Sequence, residues 1–369
     1  MKNILLILTL LSIFPAGMTG QQKDMEPLKV AIIGLTHTHV HWVLGREDLG
    51  DIEIIGIVEP NKDLASRYMS QYNRPMEMVY DDMEALMEAV EPEAVFAFGS
   101  IFDHLSVVEF FAPRGIHVMV EKPLAVSMAH ARRIAQLAKK HNIQVFTNYE
   151  TTWYPTNHLA KELLSEGKLG RVRKVVVHDG HQGPIEIGVN QEFLDWLTDP
   201  VLNGGGAVTD FGCYGANLLT WLMDGKRPTT VWALTQTNKP DLYPKVDDEA
   251  TLVLGYEGAQ GVIQASWNWS FSRKDMEVYG TKGYALADNR NDIRTRFDES
   301  SPDTKQTLAE LPYPYNDPFA LFAAQIRGRV KPQEHELSSL ENNLIVVEIL
   351  DAAKASAKSG QAVILPDQE

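Results

Sequence analysis

Residues 30–59 read VAIIGLTHTHVHWVLGREDLGDIEIIGIVE, and this stretch decides the fold of the N-terminal part of the chain. An apolar run over residues 30–34 predicts a buried strand, and residues 52–58 predict a second strand that ends at Glu59. Between them lie a His-rich turn and a helix-length segment, residues 41–48. A strand, a helix and a strand in this order predict a βαβ unit with parallel strands.

Short apolar runs continue to alternate with amphipathic segments up to about residue 148. Further buried strands are predicted over residues 94–98, 117–120 and 144–147, with helices over residues 63–72, 81–90, 103–111 and 127–141. This alternation predicts an α/β domain with a Rossmann-type, doubly wound parallel sheet over residues 28–148.

From residue 149 onward the predicted strands follow one another with little helix between them. They cover residues 171–178, 230–237, 250–256, 261–267 and 275–279, and helices are predicted over residues 155–166, 206–223, 318–329 and 339–357. Closely spaced strands favour a largely antiparallel, open sheet. Residues 149–369 are therefore predicted to form an α+β domain for substrate binding and oligomerisation.

The composition excludes several classes of function. The 369 residues carry a formal net charge of −15 and no long basic run, which argues against nucleic acid because phosphate binding needs concentrated Lys and Arg. Cys213 is the only cysteine, so an intrachain disulfide and a thiolate metal cluster are excluded. A small buried thiol is the expected role of Cys213.

The first twenty residues have the layout of a secretory signal peptide. Lys2 precedes an apolar stretch over residues 4–14, and small residues follow up to Gly20. Such a stretch is short for a bilayer span, so we expect an exported protein, secreted or periplasmic, with no membrane span after cleavage. A membrane anchor or a buried N-terminal helix is the alternative.

Residues 34–39 lie where the dinucleotide fingerprint G-x-G-x-x-G belongs, between a strand and a helix. Gly34 is present, but Thr36 and His39 replace the second and third glycines. Free amides there could still hold an anion, and the Thr36 hydroxyl could add a bond. Glu59 is placed to bind the ribose hydroxyls of NAD and to repel the 2′-phosphate of NADP. The predicted cofactor is NAD rather than NADP, and the predicted cofactor-binding residues are Gly34, Thr36, His37, His39, Glu59, Ser100, His104, Glu121 and Lys122.

Two later segments carry candidate chemistry. Glu121-Lys122-Pro123 ends a predicted parallel strand, and the carboxyl ends of such strands face the ligand crevice. Residues 203–214, NGGGAVTDFGCY, lead into an apolar helix on which Asp210 and Tyr214 share one face. A carboxylate and a phenol there could form an acid/base pair, with a nearby cation lowering the pKa of the phenol. A surface lysine before a turn, and a helix cap with a packed tyrosine, are the structural alternatives.

In combination, the two segments resemble the motifs of the Gfo/Idh/MocA oxidoreductase family. Residues 278–284, VYGTKGY, are similar to its sheet hairpin, and residues 339–360 to its closing helix. The resemblance implies NAD(P)-dependent oxidation of a secondary hydroxyl of a sugar or glycoside, and a homo-oligomer formed through the antiparallel sheet. It also implies that Lys122 and Asp210 orient and polarise the sugar while Tyr214 transfers the hydroxyl proton. The family usually has His at that position, but its exported glucose–fructose oxidoreductase branch is similar in using Tyr.

Histidine and aromatic residues complete the predicted site. His37, His39 and His41 could assemble a metal site with His178, Asp179 and His181, but metal-specific spacing is absent, so hydrogen-bonding roles and no metal are predicted. The residues predicted to line the sugar site are Trp153, Tyr154, His181 and Trp196. Aromatic residues at such positions also occur in cores.

The combination of export and an incomplete glycine loop bears on the reaction. Free NAD is scarce outside the cytoplasm, so we expect a tightly held cofactor that is recycled between two substrates. Three alternatives stay open at this point: a glycoside-cleaving enzyme that works through a keto-sugar intermediate, a cofactor-free sugar-binding protein, and a metal-dependent relative.

Overall fold

The computed structural model describes residues 26–366, so the signal peptide predicted over residues 1–20 lies outside the described residues. The strands are β1 (Leu28–Ile33), β2 (Ile52–Val58), β3 (Val79–Tyr80), β4 (Ala94–Ala97), β5 (His117–Glu121), β6 (Val145–Asn148), β7 (Val172–Gly180), β8 (Thr230–Gln236), β9 (Glu249–Tyr256), β10 (Ala259–Ser266), β11 (Arg273–Gly280), β12 (Tyr284–Ala287), β13 (Asp292–Arg296), β14 (Thr304–Thr307) and β15 (Val363–Ile364). The helices are α1 (Val40–Leu44), α2 (Lys62–Gln71), α3 (Met83–Ala89), α4 (His104–Phe111), α5 (Met128–His141), α6 (Pro155–Ser165), α7 (Gln191–Leu197), α8 (Ala207–Asp210), α9 (Gly212–Leu222), α10 (Pro318–Ile326) and α11 (Leu340–Ser359). Between residues 26 and 366, none of the helices combines the length and the apolar character that a bilayer crossing requires.

The first sheet is parallel throughout and has the strand order β3-β2-β1-β4-β5-β6. This confirms the predicted Rossmann-type sheet. The chain changes direction across the sheet between β1 and β4, and ligands of such sheets bind in the crevice at the carboxyl ends of those strands. Gly34 leaves β1 there with φ +81°, and an added Cβ would lie 2.9 Å from the backbone nitrogen of Gly99. Only glycine fits this close approach.

The second sheet has nine strands in the order β14-β13-β12-β11-β7-β10-β9-β8-β15. Only β7 and β10 pair in parallel, which confirms a largely antiparallel sheet. The hairpin predicted over residues 278–284 is present as the turn from β11 to β12, with Tyr279 opposite Tyr284. Helices α9 and α11 cover one face of the sheet. On β8, Trp232 and Leu234 remain 37% and 50% exposed.

Helix α10 returns to the first sheet, although the sequence-based boundary at residue 148 assigns it to the second domain. Its Phe319 and Phe322 pack against Phe96 of β4, with ring centroids 5.1 and 6.0 Å apart. The Nε of Arg46 donates to Asp317, just before the helix, at 2.8 Å. The apolar face of α10 is thus buried in the core of the Rossmann sheet.

The helix predicted over residues 206–223 is two helices, α8 and α9, which meet at Phe211. Asp247 anchors the start of α8, because its carboxylate accepts the backbone N–H of Gly206 at 3.0 Å and of Val208 at 2.7 Å. An added Cβ on Gly206 would lie 1.8 Å from the carbonyl oxygen of Asp247. This close approach at the helix start fixes the position of Asp210.

Candidate active site

Lys122 and Asp210 form a buried ion pair between the two sheets. The Lys122 Nζ donates to a carboxylate oxygen of Asp210 and, at 3.1 Å, to its backbone carbonyl. Trp267 Nε1 donates to the other carboxylate oxygen at 2.9 Å. Burial opposes both charges, but the attraction between them holds the pKa of Asp210 below its usual value and raises the pKa of Lys122 to about 12. Both side chains are therefore charged at neutral pH.

Tyr214 lies beside this ion pair, with its ring under two ammonium groups. The Nζ of Lys274 is 4.8 Å from the ring centroid, and the Nζ of Lys122 is 5.3 Å from it. Burial, followed by the charge of Glu150, nevertheless raises the pKa of Tyr214 well above its usual value. The prediction that a nearby cation lowers this pKa is therefore wrong, because desolvation and carboxylates outweigh the lysines. Tyr214 is a neutral phenol.

A second ion pair borders the same pocket and was missed by the sequence analysis. Lys274 on β11 binds a carboxylate oxygen of Glu150, whose other oxygen accepts the hydroxyl of Tyr154 at 2.7 Å. Burial disfavours the charge of Glu150, but Lys274 brings its pKa down to about 2. Nothing in the local sequence singles out Glu150 or Lys274, since they are 124 residues apart and meet only in the folded chain.

Glu59 stands at the end of β2, where a ribose-binding acid is expected. Its two oxygens accept the backbone N–H of Leu35 at 2.8 Å and of Asn61 at 2.9 Å. Burial raises the pKa of Glu59, and these two N–H groups oppose that rise. Each carboxylate oxygen has a second lone pair, so the group retains acceptor capacity for ribose hydroxyls.

The hydroxyl of Thr36 is already engaged. It donates to the carbonyl of Phe98 at 3.3 Å and accepts Trp196 Nε1–H at 3.0 Å. Trp196, predicted to stack on the sugar, belongs to α7 and packs on the cofactor loop instead. Phe193 of the same helix lies 4.7 Å from the ring of His37. Residues of the second domain thus cover the loop that follows β1.

Two histidines of the loop surround Glu121. His39 Nδ1 lies 2.8 Å from one oxygen of Glu121, and Asn148 Nδ2 donates to the other at 2.9 Å. Burial opposes ionisation of Glu121, but His39 and these hydrogen bonds bring its pKa down to about 2. His37 Nε2 is buried 3.8 Å from Glu121, without a hydrogen-bond partner in the described part of the chain.

The ligand atoms of His37, His39 and Glu121 are close enough together to hold a metal ion. The tautomer of His37 argues for a different role. Its Nδ1 accepts the backbone N–H of His39 at 3.1 Å, so the proton of the neutral ring is on Nε2. Burial keeps the pKa of His37 well below its usual value, so the ring is neutral. Metal ligation at Nε2 needs a lone pair there, so this geometry supports the predicted hydrogen-bonding role.

The remaining predicted residues mainly support the frame of the site. Ser100 Oγ donates to Asp103 at 2.6 Å, and His104 Nδ1 lies 3.2 Å from the carbonyl oxygen of Leu124. Burial lowers the pKa of His104 to about 4. Cys213 is fully buried, donates to the carbonyl of Asp210 at 3.3 Å, and has a pKa raised by burial. These properties favour a packed thiol over a nucleophile.

The residues predicted to bind the sugar are separated by the structure. Trp153 is 4% exposed, packs in the core of the first sheet and donates to Asn148 at 3.3 Å. Tyr154 borders the pocket through Glu150. His181 packs edge-on against Phe211 at 4.8 Å, and burial lowers its pKa to about 4. His181 remains near the Lys122–Asp210 pair and Tyr154 beside the Glu150–Lys274 pair, whereas Trp153 donates to Asn148 and Trp196 to Thr36.

Similar proteins were found by sequence and by structure. The chain is 25% identical to a trans-1,2-dihydrobenzene-1,2-diol dehydrogenase of Xenopus tropicalis over 63% of its length and 66% of that protein, which is just under two thirds. It is 23% identical to a myo-inositol 2-dehydrogenase of Thermotoga maritima over 92% of its length and 99% of that protein. An inositol dehydrogenase homologue of Azotobacter vinelandii, solved with NAD+, has a TM-score of 0.81 at 18% identity and covers 95% of this chain and 100% of that one.

Family models match both halves of the chain. Residues 28–149 match the "Oxidoreductase family, NAD-binding Rossmann fold", and residues 158–286 match the "GFO/IDH/MocA C-terminal domain". The first match contains the β1 loop, Glu59 and Lys122, and the second contains Asp210, Tyr214 and Lys274, whereas Glu150 and Tyr154 lie in the short gap between the two matches. The chain belongs to the Gfo/Idh/MocA family of oxidoreductases.

Proposed function

We propose that this protein is an exported oxidoreductase that oxidises a secondary hydroxyl of a sugar or glycoside and keeps its NAD bound between two substrates. The observation that carries the proposal is the Lys122–Asp210 pair beside Tyr214, whose hydroxyl makes no hydrogen bond with a described residue. The relatives named above act on a cyclic diol and on an inositol. These names support a small polyhydroxylated substrate.

The residues at the carboxyl ends of β1 and β2 fit a dinucleotide. Gly34 permits close backbone approach, Glu59 retains lone pairs for ribose hydroxyls, and the Nε2–H of His37 is a buried donor without an acceptor. NAD would supply a hydride acceptor next to the substrate carbon. A carboxylate at Glu59 repels the 2′-phosphate of NADP, which supports the preference for NAD.

Each side chain of the pocket then has a role in proton handling. Lys122 donates to the oxygen of the reacting carbon and stabilises negative charge there, while Asp210 holds the ammonium in place. Tyr214, a neutral phenol at rest, is set to give its proton to a carbonyl that is being reduced. The resulting phenolate, close to Lys274 and Lys122, takes the hydroxyl proton of the next substrate. The proton therefore cycles within the pocket.

Cover of the β1 loop by α7 supports a retained cofactor. Trp196 and Phe193 close over Thr36 and His37 from the second domain. Release of a nucleotide from beneath them requires these contacts to open. A retained cofactor also suits an exported protein, because free NAD is scarce outside the cytoplasm. Export is expected from residues 1–20, and cell fractionation of the full chain tests it.

The experiment begins with mass spectrometry of what remains bound after gentle purification. The protein is then incubated with a polyol and an aldose, without added NAD, and both products are quantified. We expect bound NAD, equal amounts of oxidised and reduced product, and no free NADH. Lys122→Ala should abolish the exchange, with Lys139→Ala on the exposed face of α5 as the control. Absence of bound nucleotide together with no NAD binding by calorimetry would contradict the proposal, and net glycoside cleavage would instead favour the keto-sugar alternative.

The proposal includes a homo-oligomer formed through the second sheet. Trp232 and Leu234 expose apolar area on β8, on a sheet face that α9 and α11 do not cover. Light scattering should give at least a dimer, and Leu234→Lys should weaken it, because a buried charge opposes association. A monomeric wild-type protein at micromolar concentration would contradict this part.

A further inference from the structure

Asp179 is a buried carboxyl group without a partner. It is 1% exposed, and neither of its oxygens has a hydrogen-bond partner among residues 26–366. Within residues 26–366, no other carboxyl group has a buried oxygen without a hydrogen-bond partner. Unpaired buried polar atoms are costly, and they are retained mainly where a function requires them. The group therefore needs an explanation beyond packing.

The strand pattern shows where this carboxyl points. Val175 and Val177 of β7 are fully or almost fully buried, and α9, which carries Tyr214, packs on β7. Successive side chains alternate between the faces of a strand, so Asp179 continues the row of Val175 and Val177 toward α9. It stands where a third apolar residue would complete the core, at the end of the strand that reaches the catalytic pocket.

The neighbouring strand β11 carries a lysine opposite Asp179, but the ammonium group of this lysine is not hydrogen-bonded to Asp179. Lys274 on β11 lies directly opposite Asp179 in the sheet register. Cross-strand pairs of opposite charge normally interact, yet the Lys274 ammonium is hydrogen-bonded to Glu150. Lys274 lies close enough to favour the charged form of Asp179, but burial and the charge of Glu150 raise the pKa of Asp179 well above its usual value.

We propose that Asp179 binds the substrate through both of its carboxyl oxygens and selects ligands with hydroxyl groups on two adjacent carbons, an inference that rests on the proposed function. Two acceptor atoms side by side match two neighbouring hydroxyl donors. A ligand with a single hydroxyl leaves one oxygen of Asp179 unpaired, and a site with unpaired buried polar groups rejects such a ligand.

A measurable proton change accompanies this recognition. Two hydroxyl donors stabilise the ionised carboxylate, so the pKa of Asp179 falls when the diol binds. The proton held by the empty site is then released to solvent. Because the pKa of Asp179 is lower in the complex than in the free protein, affinity for a diol rises with pH while the free carboxyl remains neutral. If Asp179 stayed protonated when it bound the diol, the affinity for the diol would not depend on pH in this range.

The test compares trans-cyclohexane-1,2-diol with cyclohexanol by calorimetry. Any NAD that the protein retains is first reduced, and NADH is then kept in excess, which leaves an alcohol without a hydride acceptor. Each titration is run in two buffers of different ionisation enthalpy. For the wild type we expect binding of the diol at least about tenfold tighter than that of the monool, with close to one proton released. Asp179→Asn, which keeps the shape of the side chain, should lose both the preference and the proton release.

Asp275→Asn is the matched control. Asp275 neighbours Lys274 but points to the other face of the sheet, where it accepts His178 Nδ1–H at 2.8 Å. The Asp275→Asn variant should retain both the preference for the diol and the proton release. Persistence of both in Asp179→Asn overturns the proposal, as does an absence of diol binding or of proton release in the wild type. If Asp179→Asn does not fold, the number of protons that the wild type releases on binding the diol tests the proposal by itself. Failure to bind NADH refutes the proposed function instead, and the diol titration of the nucleotide-free protein still tests Asp179.

Discussion

The cofactor loop, residues 34–39, and the catalytic pocket differ in how their polar groups are satisfied. The pocket consists of Lys122, Glu150, Asp179, Asp210, Tyr214 and Lys274. In the loop, Glu59 accepts the N–H of Leu35 and the hydroxyl of Thr36 both donates and accepts, which leaves Nε2 of His37 as the buried side-chain atom of residues 34–39 without a hydrogen-bond partner among residues 26–366. In the pocket, neither the carboxyl group of Asp179 nor the hydroxyl of Tyr214 makes a hydrogen bond with a described residue.

This difference distinguishes the binding of a nucleotide at the loop from the binding of a polar substrate in the pocket. The loop gains its order from protein contacts, several of them made by α7 of the second domain, so a nucleotide must fit into an already organised surface. The pocket pairs its charges but leaves hydrogen-bonding capacity unused, which is the state expected of a site that waits for a polar ligand. Variants of the two regions should therefore fail in different ways.

The largest effect is expected for Lys122→Met. It removes the partner of a buried carboxylate, so we expect a loss of about 3–5 kcal/mol of stability, together with loss of turnover. Chemical denaturation measures the first and product analysis the second. The double variant Lys122→Met/Asp210→Asn should recover part of the stability and none of the turnover. A stability loss below about 1 kcal/mol would show that the pair is less desolvated than the structure indicates.

Tyr214→Phe should separate catalysis from folding. The phenol hydroxyl makes no hydrogen bond with residues 26–366, so its removal should leave stability within about 1 kcal/mol of the wild type. If Tyr214 transfers the proton, kcat falls about 10²- to 10⁴-fold with little change in KM. An unchanged kcat with a raised KM would assign Tyr214 to substrate packing instead.

As the pH is lowered, the buried histidines on both sides of the site should begin to reduce the free energy of unfolding at a higher pH than the carboxylates do. The pKa of His104, beneath the segment after β5, and of His181, in the pocket, is about 4 in the folded protein because burial disfavours the charge. A folded pKa below the unfolded value of 6.5 means that the unfolded chain binds protons first. Stability is then lost as pH falls from 6.5 towards 4, by about 2 kcal/mol at pH 5 for the fully buried His104.

Denaturant unfolding at pH 7 and pH 5 measures this loss, and NMR titration of the ring nitrogens identifies the groups. Substitution of His104 by Asn should flatten the dependence of stability on pH in this interval. By contrast, Glu121 and Glu150 have folded pKa values of about 2, so their contributions are lost only below about pH 4.5. A histidine signal that titrates near pH 6.5 at position 104 would contradict the burial argument.

The sequence predicted the pocket only in part, for a physical reason. Lys122 and Asp210 are visible because each lies in a local motif at a strand end or helix start. Glu150 and Lys274 have ordinary local surroundings, and their pairing depends on how β11 packs against the segment that follows β6. Asp179 did carry a signal, since a carboxyl group continues the apolar row of Val175 and Val177, but that row is recognisable only once the strand is extended to residue 180.

Helix α7 explains the second limit of the sequence analysis. Its seven residues are too few for a clear helical period, so the segment was not predicted as a helix. Trp196 could then be interpreted only as an aromatic platform for a sugar, because its partner Thr36 is 160 residues away. Contacts between distant segments also place α10 on the first sheet. Both cases require knowledge of how the two domains pack.

The smallest expected effect concerns the contact that closes the loop. Trp196→Phe keeps the packing on His37 but removes the Nε1–H that donates to Thr36, and Thr36→Val removes the acceptor. A double-mutant cycle should give a coupling of about 0.5–1.5 kcal/mol in the nucleotide-free protein. If the Thr36 hydroxyl turns to a phosphate when NAD binds, the coupling disappears in the presence of NAD. If Trp196 instead closes over a nucleotide bound below it, the coupling persists and NAD dissociates faster from Trp196→Phe, so the same cycle decides which partner Thr36 keeps.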